Sequence, residues 1–240
     1  MTDHPPAARH LPLREIFPDV WVASSAIAMG IPLGLSITFS RNMVAVRGPD
    51  GWVLLNPVRL SESAEADLLA KAPFAHAVRL GANHGRDDRY YVEKFGAQFW
   101  GVPGPQTYPQ LEPTHAITES GSFPIPGARV VIFTHATKAE CAVFLPQHRL
   151  LVTCDSVQHY ERDPLLSLLA RVVMYGMGFF TPCVIGPIWL KVVTPPGGSI
   201  RADFERILTL DFDNLVGGHG TPKLGGAKAA LARNVERLPR

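Results

Sequence analysis

Four apolar stretches in this chain run out, within a few residues, into a histidine or an aspartate. Residues 76–80 lead to His84, 129–133 (RVVIF) to His135, 150–153 (LLVT) to Asp155, and 214–216 (NLV) to His219 through two glycines. Asp88 opens the helical pattern that follows His84. Strand ends that open into loops are where ligands and catalytic groups gather. These residues act together only in a fold that brings separate strand ends to one edge. Taken singly, each has a plain structural reading: a hydrogen-bonded loop histidine, or for Asp88 a helix cap. The ordered set points to a common site, and His219 adds weight because the glycines of GGHGTP suit close backbone approach.

The rest of the pattern supplies the elements. Residues 20–24 and 43–47 read as strands, and the Gly-Pro-Asp-Gly turn at 48–51 joins the second to a buried strand at 52–55, so that 43–55 is a hairpin. Helices are expected at 61–71, capped by Ser61 or Ser63, at 88–95, at 202–209 and at 227–237. Further strands are expected at 98–102 and 141–145, with a proline-rich loop at 103–113. There is no internal repeat. Residues 1–12 read as a loose leader and 13–240 as one domain. Two strand-rich halves that each finish in helices suggest two packed sheets covered by helices, an α+β four-layer sandwich.

Composition removes several function classes. A 46% hydrophobic and 18% charged chain of 240 residues can bury a large core. A net charge of +2 without a dense Lys/Arg run gives no basis for nucleic-acid binding. Three cysteines, Cys141, Cys154 and Cys183, without CxxC spacing argue against a disulfide framework. With no apolar N-terminal run to read as a signal peptide, the expected compartment is cytoplasmic. Residues 20–40 and 172–190 carry no charge and reach the length that raises a membrane-span reading. Glycines and prolines break both, and a crossing between Asp155 and His219 would separate them. No GxSxG elbow and no P-loop occurs.

The order strand-His, strand-His, strand-Asp, strand-Gly-His resembles the metallo-β-lactamase superfamily over nearly the whole chain, about 20–238. The resemblance implies an αββα sandwich with a metal site at the sheet edges. The family's HxHxDH pattern falls on His84-Gly-Arg86-Asp-Asp88-Arg89, its third-strand His on His135, its bridging Asp on Asp155 and its last strand-end His on His219. Asn56 stands where the family has an early Asp, and Cys154 where a Gly precedes the bridging Asp. Arg86 and Arg89 replace two histidines, and arginine cannot ligate a cation. The resemblance therefore implies one depleted site (His84, His135) and one complete site (Asp88, Asp155, His219). The complete site would hold one divalent transition metal: zinc, or iron or manganese. Asp88 would serve as ligand or as a base orienting water, and Arg86 and Arg89 would face an anionic substrate.

These implications give a metal-dependent hydrolase of a small ester, thioester or amide. The alternative is a binding or scaffold protein that kept the fold and lost the metal, with none bound. His84, Asp88, His135, Asp155 and His219 are all expected in one pocket. The apolar segments 26–37 and 165–193 are expected around its mouth, favouring an apolar substrate, a peripheral lipid contact or a homo-oligomer.

Overall fold

The computed structural model describes residues 4–105, 107–108 and 111–239. Residues 1–3 of the expected leader, and 106, 109 and 110 of the proline-rich loop, lie outside the described residues. In the first half, strands β1 (Arg14–Phe17), β2 (Val20–Ile31), β3 (Leu35–Arg47) and β4 (Trp52–Leu55) precede helix α1 (Glu62–Leu69). Strand β5 (Phe74–Arg79), helix α2 (Asp88–Phe95) and strands β6 (Gln98–Gly101) and β7 (His115–Ala116) follow. The second half holds β8 (Arg129–Ile132), β9 (Cys141–Leu145), β10 (Leu150–Val152), β11 (Val157–Gln158), α3 (Leu168–Gly176) and β12 (Val184–Ile185). It closes with α4 (Pro187–Val193), α5 (Arg201–Leu208), β13 (Asn214–Val216) and α6 (Ala227–Val235).

The first sheet runs β1 to β7 in chain order, antiparallel to β4 and parallel beyond it. The second has the order β13-β10-β9-β8, with β10 and β13 parallel. Alternation along the strands separates three apolar layers. Val44, Val53, Leu55 and Val78 meet Val143, Leu145, Val152 and Val216 between the sheets. Trp52, Leu54 and Phe99 face α1 and α2 on one outer side. Phe144, Leu151 and Leu215 face Trp189, Phe204 and Leu231, from α4, α5 and α6, on the other. This is the four-layer αββα sandwich expected from the strand and helix order.

Two expectations change. The hairpin before β4 is far longer than residues 20–24 and 43–47 suggest: β2 and β3 pair continuously from Val20↔Val46 to Ile31↔Leu35. Gly30, Pro32 and Gly34, which read as breakers, shape its tip, a short 3-10 turn at Pro32–Gly34 with Leu33 in the left-handed region (φ 69°). The leader, over its described part, is tied down. Leu11 N–H donates to the Ser24 carbonyl and Ala26 N–H to the Arg9 carbonyl, His10 bonds Ser61, and Arg59 donates to the His4 and Pro5 carbonyls. Segment 165–193 forms α3, β12 and α4, and no helix among the described residues is long and apolar enough to cross a membrane.

The layering sets a stability contrast. Leu54→Ala opens a void between the first sheet and its helices and is expected to cost about 2–5 kcal/mol. Leu33→Ala, at the exposed tip, should stay within about 0.5 kcal/mol. Urea unfolding midpoints measure both, and equal losses would contradict the layering.

Candidate metal centre

Two neighbouring parallel strands set the heart of the site. β10 and β13 pair with Val152 opposite Val216, and Asp155 and His219 each follow three residues later. The ladder continues past the strands through Thr153 N–H to the Val216 carbonyl (3.0 Å) and Gly218 N–H to the Cys154 carbonyl (2.8 Å). His84 arrives from the facing sheet, on the loop after β5. Asn56, at the end of β4, holds these strand ends in place. Its amide donates to the Thr153 carbonyl (3.0 Å) and its oxygen accepts from Leu80 N–H (3.3 Å). Gly218 lets the loops approach: a Cβ there would sit 2.9 Å from His84 Cε1 and 2.8 Å from the Cys154 carbonyl.

Three side-chain atoms then converge. His219 Nε2 lies 2.9 Å from Asp155 Oδ1 and 3.1 Å from His84 Nε2, and His84 Nε2 lies 3.3 Å from Asp155 Oδ1. His219 Nδ1 is 2.7 Å from the Ser40 carbonyl, which only accepts, so Nδ1 carries a proton and donates it there. That leaves His219 Nε2 facing a carboxylate oxygen and a second imidazole nitrogen. Groups of this kind rest so close with a cation shared between them, a proton or a metal. Burial pushes the His84 imidazole down to about 4, against the pull of Asp155. Burial opposes charge on Asp155, yet His84 and His219 hold its carboxyl well below the usual range. The donor set therefore fits one divalent metal, with two imidazoles, one carboxylate and an open position.

His84, Cys154 and Asp155 also present ligand atoms within 4.8 Å of one another, a second partial set. Cys154 is the weaker member. Its sulfur faces Gly81, and burial, with Asp155 beside it, pushes the thiol well above its usual range, so it stays protonated.

Of the seven expected site residues, only His84, Asp155 and His219 come together. Asp88 is fully buried on α2 and bonds Arg79 Nε at 2.5 Å, committed to an ion pair under the sheet. Its neighbour Asp87 takes Arg41 (3.1 Å) and Arg86 (2.8 Å), and Arg86 reaches on to the Pro6 carbonyl. Arg89 lies on the outer face of α2 with Glu93. His135 is half exposed and pairs with Asp203 of α5 (3.1 Å). The turn after β8 sends Lys138 to the site instead: Lys138 Nζ is 3.5 Å from Asn83 Oδ1, and Asn83 Nδ2 is 3.4 Å from Asp155 Oδ2. Glu140 is the other group the sequence reading missed. It is buried, accepts from Ser156 N–H (2.8 Å), and is pushed up to about 8 by burial and by Asp155, so it holds a proton near neutral pH. A buried glutamate that opens an apolar strand was the available signal.

Over Asp155 and His219 lies a cleft of about 370 Å³. Asp155, His219, Asn83 and Lys138 form its polar part. Met29, Ile31, Ile37 and Phe39 from the hairpin face Val173, Met177, Ile188 and Val192 from α3, its C-terminal turn and α4. Both apolar segments therefore stand at the mouth, as expected.

The ion pair gives a direct stability test. Asp88→Asn leaves the buried Arg79 guanidinium without its carboxylate and is expected to destabilise the fold by about 3–5 kcal/mol. The double replacement Arg79→Met/Asp88→Leu should recover much of that. Thermal melts followed by circular dichroism read both, and an unchanged Asp88→Asn melt would place Asp88 elsewhere.

No family model matches the sequence, and no curated protein sequence matches it significantly. Solved structures do. A metallo-β-lactamase from Erythrobacter litoralis matches with a TM-score of 0.60 at 14% identity, covering 96% of each chain. The metallo-β-lactamase FIM-1 from Pseudomonas aeruginosa, in its mono-zinc form, matches at 0.60 and 13%, covering 97% of each. VMB-1 matches at 0.67 and 14%, covering 96% of this chain and 97% of its own.

Proposed function

This chain has the metallo-β-lactamase fold in a divergent form, and on that premise we propose that it is a metal-dependent hydrolase with one metal site. The site is His84, Asp155 and His219, and the substrate is a small ester, thioester or amide with an apolar body. The observation that carries this reading is the meeting of three ligand atoms within 3.3 Å while His219 Nδ1 is committed to the Ser40 carbonyl. A solved relative in a mono-zinc form supports zinc as the metal. Bound there, a divalent metal lowers the pKa of water toward neutrality and polarises a carbonyl oxygen.

The chain's own residues supply the rest. The Ser40 carbonyl keeps His219 Nε2 aimed inward. Protonated Glu140 braces the turn at 155–156 from below, and Gln158 donates to the Asp155 carbonyl (3.1 Å). The Lys138 ammonium faces the cleft beside Asn83, where it meets an anionic or developing oxyanion end of the substrate. The apolar walls take the substrate's body and exclude water from the polar end.

Elemental analysis of protein purified without chelator, followed by zinc titration, tests the reading. One metal per chain is expected, abolished by Asp155→Ala or His219→Ala. His135→Ala should leave it unchanged, as should Arg79→Met/Asp88→Leu. A protein that binds no zinc even in titration sinks the hydrolase reading and favours a binding protein that has lost its metal.

The cleft walls give a second readout. Within a series of p-nitrophenyl acyl esters, kcat/KM should rise with chain length until the cleft is filled. The ceiling is roughly fourfold per methylene, from about 0.8 kcal/mol each. A flat profile would argue against an apolar substrate.

A further inference from the structure

The outer rim of the cleft is apolar and open. At the hairpin tip Leu33 is 93% exposed, with Met29 and Leu35 beside it. Helix α3 buries Ala170 and Met174 against the hairpin, yet its opposite face presents Leu168, Val172 and Tyr175 at i, i+4 and i+7. Helix α4 buries Trp189 and Val193 and presents Ile188 and Val192. A surface helix normally turns a polar face to water; one that is apolar on both sides has something on both sides. The hairpin, the α3 region and α4 also line the cleft, and Met29, Met177, Ile188 and Val192 are both part of its lining and exposed, which joins the apolar rim to the mouth.

Charge narrows the occupant. Between Asp163 and Asp203 the chain has no acidic residue, and its charged residues there are Arg171, Lys191 and Arg201. Arg171 is exposed next to Val172, and Lys191 between Ile188 and Val192. Residues 20–40 of the hairpin carry no charge. A second copy meeting this face symmetrically would bring Arg171 and Lys191 of both chains into an apolar seam, with no carboxylate of that face to meet them. An anionic headgroup layer satisfies both features, taking the aliphatic side chains below it and pairing the basic ones within it.

We propose that this rim docks the protein on an anionic lipid surface, with the mouth of the cleft turned toward the headgroups. The proposed contact is peripheral; no helix among the described residues is long and apolar enough to cross a membrane. Tyr175 and Phe180, exposed beside the rim, suit the headgroup level where aromatic rings collect. The proposal is independent of the metal and of any hydrolysis.

Flotation of the full chain with phosphatidylcholine vesicles, with and without phosphatidylglycerol, tests it. Binding is expected to the anionic vesicles and to weaken with salt. Leu33→Asp or Val172→Asp should lower it at least about tenfold, as expected from losing one buried side chain. Arg171→Glu and Lys191→Glu should each lower it by about fivefold or more. Leu224→Asp, at an exposed leucine outside the rim, should leave it unchanged. No binding to anionic vesicles overturns the proposal, as does a loss equal in Leu224→Asp. So does light scattering that shows a dimer which Leu33→Asp converts to monomer while vesicle binding is absent.

Discussion

One backbone carbonyl fixes the chemistry of the candidate centre. By accepting from His219 Nδ1, Ser40 fixes the orientation of the ring and turns its other nitrogen, Nε2, toward Asp155. The same residue holds the loop around that histidine. Its hydroxyl donates to Asp163 (2.6 Å) and accepts from Gly220 N–H (2.8 Å). Two residues along β3, the Asn42 amide donates to the Gly217 and Gly220 carbonyls (2.9 and 3.0 Å). The strand that aims the ligand is also the strand that continues into the cleft roof, through Phe39 and Ile37 to Leu35. Ligand geometry and cleft shape are therefore set by one element.

The loop between β5 and α2 shows how a site can be thinned without loss of fold. Where a metal-rich sequence would spend several side chains on cations, this chain spends Asp87 and Asp88 on Arg41 and Arg79. Those pairs are buried, and each carboxylate stabilises a guanidinium that the sheet itself supplies. Of that loop, His84 and its neighbour Asn83 turn toward the centre. The electrostatic balance at the centre then shifts to groups outside the ligand set, the Lys138 ammonium above it and the protonated Glu140 below it.

Most strands outside the long hairpin were legible because their apolar runs are short, buried and bounded by turn residues. Asp155 and His219 were legible for a related reason: each stands three residues past one of two in-register strands, so strand recognition alone places them. The orientation of side chains within a turn is not written in the same way. Asp88 and Asp87 are adjacent and alike in sequence, and their partners lie in strands, Arg79 in β5 and Arg41 in β3. His135 was drawn away by Asp203, 68 residues downstream, which also accepts the His135 backbone N–H. Lys138, in a Thr-Lys-Ala-Glu turn, has the look of a solvated lysine, and only tertiary placement brings it to Asn83. The hairpin was shortened in the reading because glycine and proline punctuate most segments, whereas here they build a tip.

The sequence separations within the centre carry a consequence for its assembly. Strands β2 and β3 are joined by a turn and need only local contacts to form, but His219 meets Asp155 across 64 residues, His84 across 135 and Ser40 across 179. Local hairpins form in microseconds, while distant pairings must first overcome the entropy of closing long loops. The nascent chain can thus raise its roof and bury its first sheet long before a complete ligand set exists. A cation at the proposed centre would find its full ligand set only once β13 has arrived, and so would not act as the nucleus around which the domain condenses.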